Sequence, residues 1–192
     1  MYIRVIAFFL FVFSLYSCKR TPKTTADTSA IDSSLTYFSM NQFVNDQVNT
    51  YFGQPFSLIK LVQEDGKTDS TMVNVETIEW APVITALKNS DISDKKFLGL
   101  YHFSMFEEEV TGNRVFFYEA ADPKLFTRQL QFTVDPTTMK IVSMYVETLK
   151  NGTWGSVRKK VLYKPLELIQ LQESETPLVG SARNFRVDYR FL

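Results

Sequence analysis

From Phe97 to the C-terminus, apolar and polar residues alternate along seven short stretches that are separated by turn-forming residues. A period of two places successive side chains on opposite faces of a strand, so each stretch predicts a β-strand. The spacers are too short for the helical crossovers that parallel strands require, so the pattern predicts an antiparallel meander. The predicted strands cover residues 98–106, 114–120, 127–134, 140–148, 155–162, 166–172 and 185–192. Among the spacers, Asn151-Gly152 is the strongest hairpin-turn signal.

A first helix is predicted near Ser39. Ser39-Met40-Asn41-Gln42 has the S-x-x-Q form of a capping box. Apolar residues follow at helical spacing, and Gly53 with Pro55 predicts the end of the helix. These apolar residues are Phe43, Val44, Val48, Tyr51 and Phe52. Because an amphipathic helix has to cover an apolar surface, we expect this aromatic stripe to belong to the core.

A hairpin and a second helix are predicted next. Residues 56–75 form the hairpin, with its turn at Glu64-Asp65-Gly66-Lys67. Residues 79–89 form the helix, and Pro82 lies in its first turn, where a missing N–H costs little. The predicted fold class is therefore α+β, with two N-terminal helices and a hairpin packed on a large, curved antiparallel meander sheet of about seven strands.

The N-terminus has the features of a lipoprotein signal. An apolar run from Val5 to Phe13 follows Arg4, and Leu15-Tyr16-Ser17-Cys18 resembles the bacterial lipobox. Residues 1–17 are predicted to be a signal peptide, Cys18 to be acylated (for example with palmitate), and residues 18–34 to be a flexible tether. Residues 35–192 would then form a single α+β domain. Cys18 is the only cysteine of the chain, so a disulfide within the domain is excluded.

Short motifs in this layout resemble those of uncharacterised Bacteroidota lipoproteins of similar length. They are the signal, the aromatic first helix, Ile78-Glu79-Trp80 in the second helix and the turn Asp122-Pro123-Lys124-Leu125. The resemblance covers nearly the whole mature chain and implies location and fold without an activity. In surface-exported members acidic residues follow the cysteine, whereas Lys19-Arg20-Thr21 follows Cys18 here. The prediction is therefore an outer-membrane anchor with the domain facing the periplasm.

No catalytic or metal-binding constellation is apparent in the sequence, and no cofactor is predicted. His102 is the only histidine, and a general base would need a nucleophile and an orienting acid at recognisable spacing. Glu107-Glu108-Glu109 is the one dense acidic run, but it lacks the spacing of a calcium loop and precedes a turn. We therefore expect a packed or surface histidine, a solvated acidic turn and no enzymatic activity.

The charges of the chain also exclude nucleic-acid binding. It has 21 basic and 21 acidic residues, so it lacks the electrostatic footprint that nucleic-acid binding requires. The densest basic cluster, Arg158-Lys159-Lys160, alternates between two strand faces. We expect a solvated strand end there and not an anion site.

Two aromatic residues remain as possible binding residues, namely Trp80 on the second helix and Trp154 beside a hairpin turn. Two functions stay open. The first is a non-enzymatic binding or assembly module that contacts another envelope component. The second is a carrier that holds a hydrophobic ligand in a groove between the helices and the curved sheet, as in the half-barrels of lipoprotein-carrier-like proteins.

Overall fold

The computed structural model describes residues 37–51 and 54–192. The predicted signal peptide 1–17, Cys18, the tether 18–34, Phe52 and Gly53 lie outside the described residues. The described residues belong to one compact unit of the chain. In the part that the structure describes, the chain is mostly β, with one large antiparallel sheet and a few short helices.

The sheet has nine strands within the described residues, in the spatial order β2-β1-β9-β8-β7-β6-β5-β4-β3. From β3 to β9 each strand pairs with the next one along the chain, as the alternating pattern predicted. The strands are β1 (Ser57–Glu64), β2 (Lys67–Asn74), β3 (Tyr101–Glu107), β4 (Arg114–Ala120), β5 (Thr127–Val134), β6 (Ile141–Gly152), β7 (Gly155–Lys164), β8 (Leu168–Pro177) and β9 (Arg183–Phe191).

The prediction of about seven strands was wrong because the N-terminal hairpin belongs to the sheet. β1 pairs antiparallel with β9, in a register that places Leu58 opposite Phe191 and Val62 opposite Val187. Without β1, β9 would be an edge strand with unpaired backbone groups next to buried side chains. Pairing satisfies these groups and extends the sheet beyond the last strand of the meander.

One of two predicted hairpin turns lies at the predicted residues, and the other is displaced along the chain. Asp65 and Gly66 both have positive φ, of 45° and 84°, as the predicted turn between β1 and β2 requires. The turn predicted at Asn151-Gly152 lies two residues later, at Thr153-Trp154. Asn151 and Gly152 instead continue the ladder opposite Ser156 and Gly155. Gly155 has a φ of 145°, a backbone conformation that favours glycine.

Two α-helices occur among the described residues, α1 (Met40–Tyr51) and α2 (Ala81–Asn89). The Ser39 hydroxyl accepts a hydrogen bond from the Gln42 N–H at 3.3 Å, as expected for the predicted N-cap. Helix α2 begins two residues later than predicted, with Pro82 in its first turn. Short 3₁₀ turns cover Val75–Thr77 and Lys95–Phe97. None of the described helices is both long and apolar enough to cross a membrane.

The core lies against one face of the sheet, which we call the inner face. Cross-strand neighbours on this face include Leu130 with Val146, and Val161 with Leu171, and all four are buried. Phe43 of α1 lies 5.5 Å from Tyr163 of the inner face, and Trp80, the N-cap residue of α2, lies 5.8 Å from Tyr189, both between ring centroids. The space between these contacts contains the candidate site.

Candidate functional site

A cavity of about 340 Å³ lies where α1 and α2 meet the inner face. Its volume falls at the lower end of the range of about 300–1,000 Å³ that is typical of small-molecule sites. Most of its walls are aliphatic or aromatic. The lining residues are Phe43, Val44, Gln47, Tyr51, Val75, Glu76, Trp80, Val83, Ile84, Leu87, Tyr163 and Ile169.

The first wall comes from α1. Phe43, Val44, Gln47 and Tyr51 are spaced so that they lie on one side of a helix with about 3.6 residues per turn. The N-terminus of α1 is held by a residue distant in sequence, because Asp91 Oδ2 accepts a hydrogen bond from the Asn41 N–H at 2.7 Å. Asp91 directly follows the C-cap residue of α2, so this contact fixes the two helices relative to each other.

Trp80 and α2 form the second wall. Trp80, Val83, Ile84 and Leu87 follow the i, i+3, i+4, i+7 pattern of one helix face. The indole Nε1–H of Trp80 donates to the Val75 carbonyl at 3.0 Å, which locks the ring beside the cavity. The structure therefore places the predicted binding residue Trp80 at the N-cap of α2, where it is half-buried and lines the site.

A chain of hydrogen bonds crosses one end of the cavity. The Tyr163 hydroxyl donates to Gln47 Oε1. The Tyr51 hydroxyl is then the donor in its 2.6 Å bond with the Tyr163 hydroxyl, and it accepts from the Leu166 N–H at 3.3 Å. These polar groups bond to each other across α1 and the sheet, so the cavity offers few free partners to a polar ligand.

The electrostatics of the cavity favour an uncharged occupant. Burial raises the pKa of Tyr163 far above its ordinary value, and the hydrogen bond with Tyr51 raises the same pKa further. This hydroxyl is therefore neutral at physiological pH. Lys and Arg are absent from the described lining, and the one carboxylate, Glu76, is exposed. A bound anion would find no opposite charge there.

A wider groove of about 820 Å³ lies on the other side of α2. Its walls include Lys150, Lys159 and Glu173, and Lys159 Nζ lies 2.8 Å from a carboxylate oxygen of Glu173. These charges make the groove a poorer site for an apolar ligand than the cavity.

Trp154, the second predicted binding residue, is far more exposed and does not line the cavity. It occupies the tip of the β6–β7 hairpin with 83% of its surface accessible. Its carbonyl accepts from the Leu178 N–H at 2.8 Å, which joins this tip to the β8–β9 connection. Leu178 and Val179 are also exposed, so the two tips present a small apolar patch.

His102 and the acidic run lie together on the strand β3 and just after it. His102 is exposed and lies opposite Glu119 of β4. Glu107 and Glu109 are exposed, and Glu108 accepts a hydrogen bond from the Thr111 hydroxyl at 2.6 Å. Among the described residues, no group of three or more His, Cys, Asp or Glu side chains could hold a metal ion.

The basic cluster divides between the two faces of the sheet, as the alternation predicted. Arg158 and Lys160 both pair with Glu147 on the face opposite the inner face, whereas Lys159 lies on the inner face. Glu147 is buried and also accepts from the Tyr145 hydroxyl at 2.9 Å. Burial and this hydrogen bond raise the pKa of Tyr145 to about 12. The cluster thus neutralises a buried carboxylate.

Sequence reasoning missed the convergence of Gln47, Tyr163 and Ile169. Gln47 and Tyr163 are far apart in the sequence, and only the way α1 lies over the paired strands brings them together. The signals available in the sequence were the aromatic stripe of α1, which was expected to belong to the core, and Trp80, which was predicted as a possible binding residue. No family model, curated protein or solved structure matches the chain.

Proposed function

We propose that this domain is a non-enzymatic binding module whose cavity takes up an uncharged alkyl chain. The observation that carries the proposal is the cavity of about 340 Å³ between the two helices and the sheet. Its walls are apolar, and its tyrosine hydroxyls and Gln47 bond to one another. Binding would bury apolar surface without leaving polar groups of the protein unpaired.

The expected affinity follows from the hydrophobic effect. Each buried methylene group contributes about 0.8 kcal/mol, so roughly ten of them contribute about 8 kcal/mol. Lost translational and rotational freedom offsets about 4 kcal/mol or more of this gain. The net gain is then at most about 4 kcal/mol, which corresponds to a dissociation constant of about 1 mM or weaker for a simple twelve-carbon chain.

The proposed setting is the periplasmic side of the outer membrane, with Cys18 acylated and the tether linking the domain to the bilayer. In this setting acyl chains are available to the cavity from the adjacent lipid. A single acyl chain anchors only marginally, so stable attachment would need two or more chains on the lipidated cysteine.

The test uses dodecan-1-ol and dodecanoate as probes for the purified full-length chain. We expect titration calorimetry to show that dodecan-1-ol binds with a negative heat-capacity change, because binding buries apolar surface. Dodecanoate should bind more weakly, because the described lining offers its carboxylate no cation. Ile84→Trp should block the alkyl site. Asn45→Trp adds a side chain of the same size at an exposed position of α1 and should leave binding unchanged.

If wild type and Ile84→Trp bind dodecan-1-ol equally well, the probe binds elsewhere on the protein, and the cavity is not the binding site. Circular dichroism of both variants establishes that they fold. Absence of binding to the wild type would reject the ligand-binding function as a whole.

The second candidate is an assembly module that contacts another envelope component. The exposed apolar patch of Trp154, Leu178 and Val179 favours it, since such patches occur at interaction sites. Crosslinking in native membranes followed by mass spectrometry tests it. A crosslinked protein at the hairpin tips would support assembly, and a wild-type pattern unchanged by Trp154→Ala would count against it.

A further inference from the structure

Strand β3 exposes a row of unpaired backbone groups at one edge of the described sheet. The Ala121 N–H donates to the Leu100 carbonyl and the Glu108 N–H donates to the Asn113 carbonyl, so even-numbered residues of this segment bond to β4. Hydrogen bonding alternates along an antiparallel strand. The N–H and C=O groups of Tyr101, Phe103, Met105 and Glu107 therefore point away from the sheet.

Strand β3 exposes large apolar side chains on both of its faces. Phe103 and Met105 belong to the inner face, with 54% and 57% of their surfaces exposed, and Phe106 lies on the opposite face with 52% exposed. The other edge strand, β2, has the sequence Lys-Thr-Asp-Ser-Thr-Met-Val-Asn, with Met72 as its large exposed apolar side chain. Long apolar edges pair readily with further strands, whereas polar edges resist pairing.

The charges that flank β3 have opposite signs at its two ends. Lys95 and Lys96 precede the strand, where Asp94 lies 3.1 Å from Lys96 and leaves a net positive charge, and Glu107, Glu108 and Glu109 follow at the other end. Antiparallel pairing of two copies places the acidic run of one strand opposite the residues of the other copy that follow Lys95 and Lys96. Parallel pairing would bring the two acidic runs together, at a cost in repulsion. The pattern is thus complementary to itself in the antiparallel direction.

We propose that β3 is a dimerisation edge, which pairs antiparallel with β3 of a second copy of this chain across a two-fold axis. The symmetric register has Ser104 opposite Ser104 of the second copy, and Phe103 opposite Met105. This register joins all four outward-facing residues of each strand by about eight backbone hydrogen bonds. Phenylalanine beside methionine also gives a favourable sulfur–aromatic contact.

The dimer is independent of the proposed ligand site, because no lining residue of the cavity lies on β3. Pairing of one strand buries less than the roughly 1,200–2,000 Å² of a standard stable interface, so we expect a micromolar dissociation constant. An isologous edge-to-edge contact closes at two copies and does not propagate into a filament.

The first test measures the mass of the full-length chain in detergent by sedimentation velocity, at a series of concentrations. Met105→Pro removes an N–H that points away from β4, a position at which an edge strand tolerates proline. It should weaken the dimer at least about tenfold. Met72→Pro is the matched control, because the Val75 N–H bond to the Phe56 carbonyl implies that the Met72 N–H also points outward. This variant should leave the dimer unchanged.

A second test does not depend on the folding of a proline variant. Ser104→Cys should form an intermolecular disulfide in oxidised membranes, because facing residues of a pair without mutual hydrogen bonds have Cα atoms about 4.5 Å apart. Ser70→Cys on β2 and the wild type, which retains Cys18, provide the background. A monomeric wild type at all concentrations, or crosslinking of Ser104→Cys no greater than that of Ser70→Cys, would overturn the proposal.

Discussion

Replacing Asp91 by alanine should destabilise the domain, because Asp91 links the two helices that wall the cavity. Its Oδ2 accepts from the Asn41 N–H at 2.7 Å and lies 3.4 Å from the Ser39 hydroxyl, and its Oδ1 accepts from the Ser93 N–H at 2.7 Å. The Asn41 N–H is one of the N-terminal donors of α1 that have no partner within the helix. A carboxylate at this point also interacts favourably with the helix dipole.

The expected loss in the free energy of unfolding follows from the two short hydrogen bonds that Asp91 accepts. Loss of a helix cap costs about 0.5–2 kcal/mol, and a hydrogen bond to a charged group is worth about 1.5–3 kcal/mol when it is well buried. Asp91 is only half-buried, so solvent reduces both contributions. We expect a loss of about 2 kcal/mol in the free energy of unfolding. For a domain of this size, that lowers Tm by about 4–8 °C.

The loss of stability caused by Asp91→Ala should depend on pH. Burial alone would raise the pKa of Asp91, but the hydrogen bonds from Ser93 and Asn41 outweigh it and hold the pKa below its ordinary value. A carboxyl group with a lower pKa in the folded state stabilises the fold above its unfolded pKa. This stabilisation is lost as the pH falls through the folded pKa. The difference between wild type and Asp91→Ala should therefore be full at pH 7 and shrink below about pH 4.

Urea denaturation followed by circular dichroism measures this difference at pH 7 and at pH 3. Asp46→Ala is the control, since it removes the same charge from an exposed position on α1. A loss below about 0.5 kcal/mol at pH 7 would refute the role of Asp91 in capping α1. An equal loss at both pH values would refute the argument from its ionisation.

Two further predictions concern a hairpin and the anchor. Gly155→Ala should lower Tm by about 6–12 °C, because its Cβ would collide with the Thr176 carbonyl oxygen and lie 2.7 Å from the Pro177 Cα at a positive φ. Gly152→Ala is the control for scanning calorimetry and should change Tm little, because its Cβ meets its nearest atom at 3.6 Å. Cys18→Ala should release the protein from membranes or leave an unprocessed precursor in a fractionation experiment. Membrane-bound, processed Cys18→Ala protein would contradict the lipid anchor.

Local patterns in the sequence predicted most of the strands because each strand depends on its own alternation. The bounds of β4 and β5 agree with their predictions, and the other meander strands differ by a few residues at their ends. The pairing of β1 with β9 was missed because it joins the first strand of the sheet to the last one along the chain. Nothing in the pattern of either strand specifies which edge it joins.

The candidate site was predictable only in part, for the same reason. Trp80 was predicted as a possible binding residue, and a groove between the helices and the sheet was one of the two functions left open. Asp91 follows α2 without a motif, and its cap on α1 depends on the tertiary fold. The Tyr51–Tyr163–Gln47 chain likewise depends on how α1 lies over β7.

The size of the sheet relative to its helices connects the two proposals. Nine strands at about 4.8 Å spacing span roughly 38 Å. Helix α1, at about 1.5 Å of rise per residue, reaches only about half that distance. Tyr163 and Ile169 at the centre of the inner face are buried, and Phe103 at the β3 edge is half exposed. A bound ligand would fill the cavity between the helices and the inner face. Pairing of β3 would cover the edge of the sheet that the helices do not reach. Because the two surfaces share no residue, a blocked cavity should leave the dimer intact, and a broken dimer should leave alkyl binding intact.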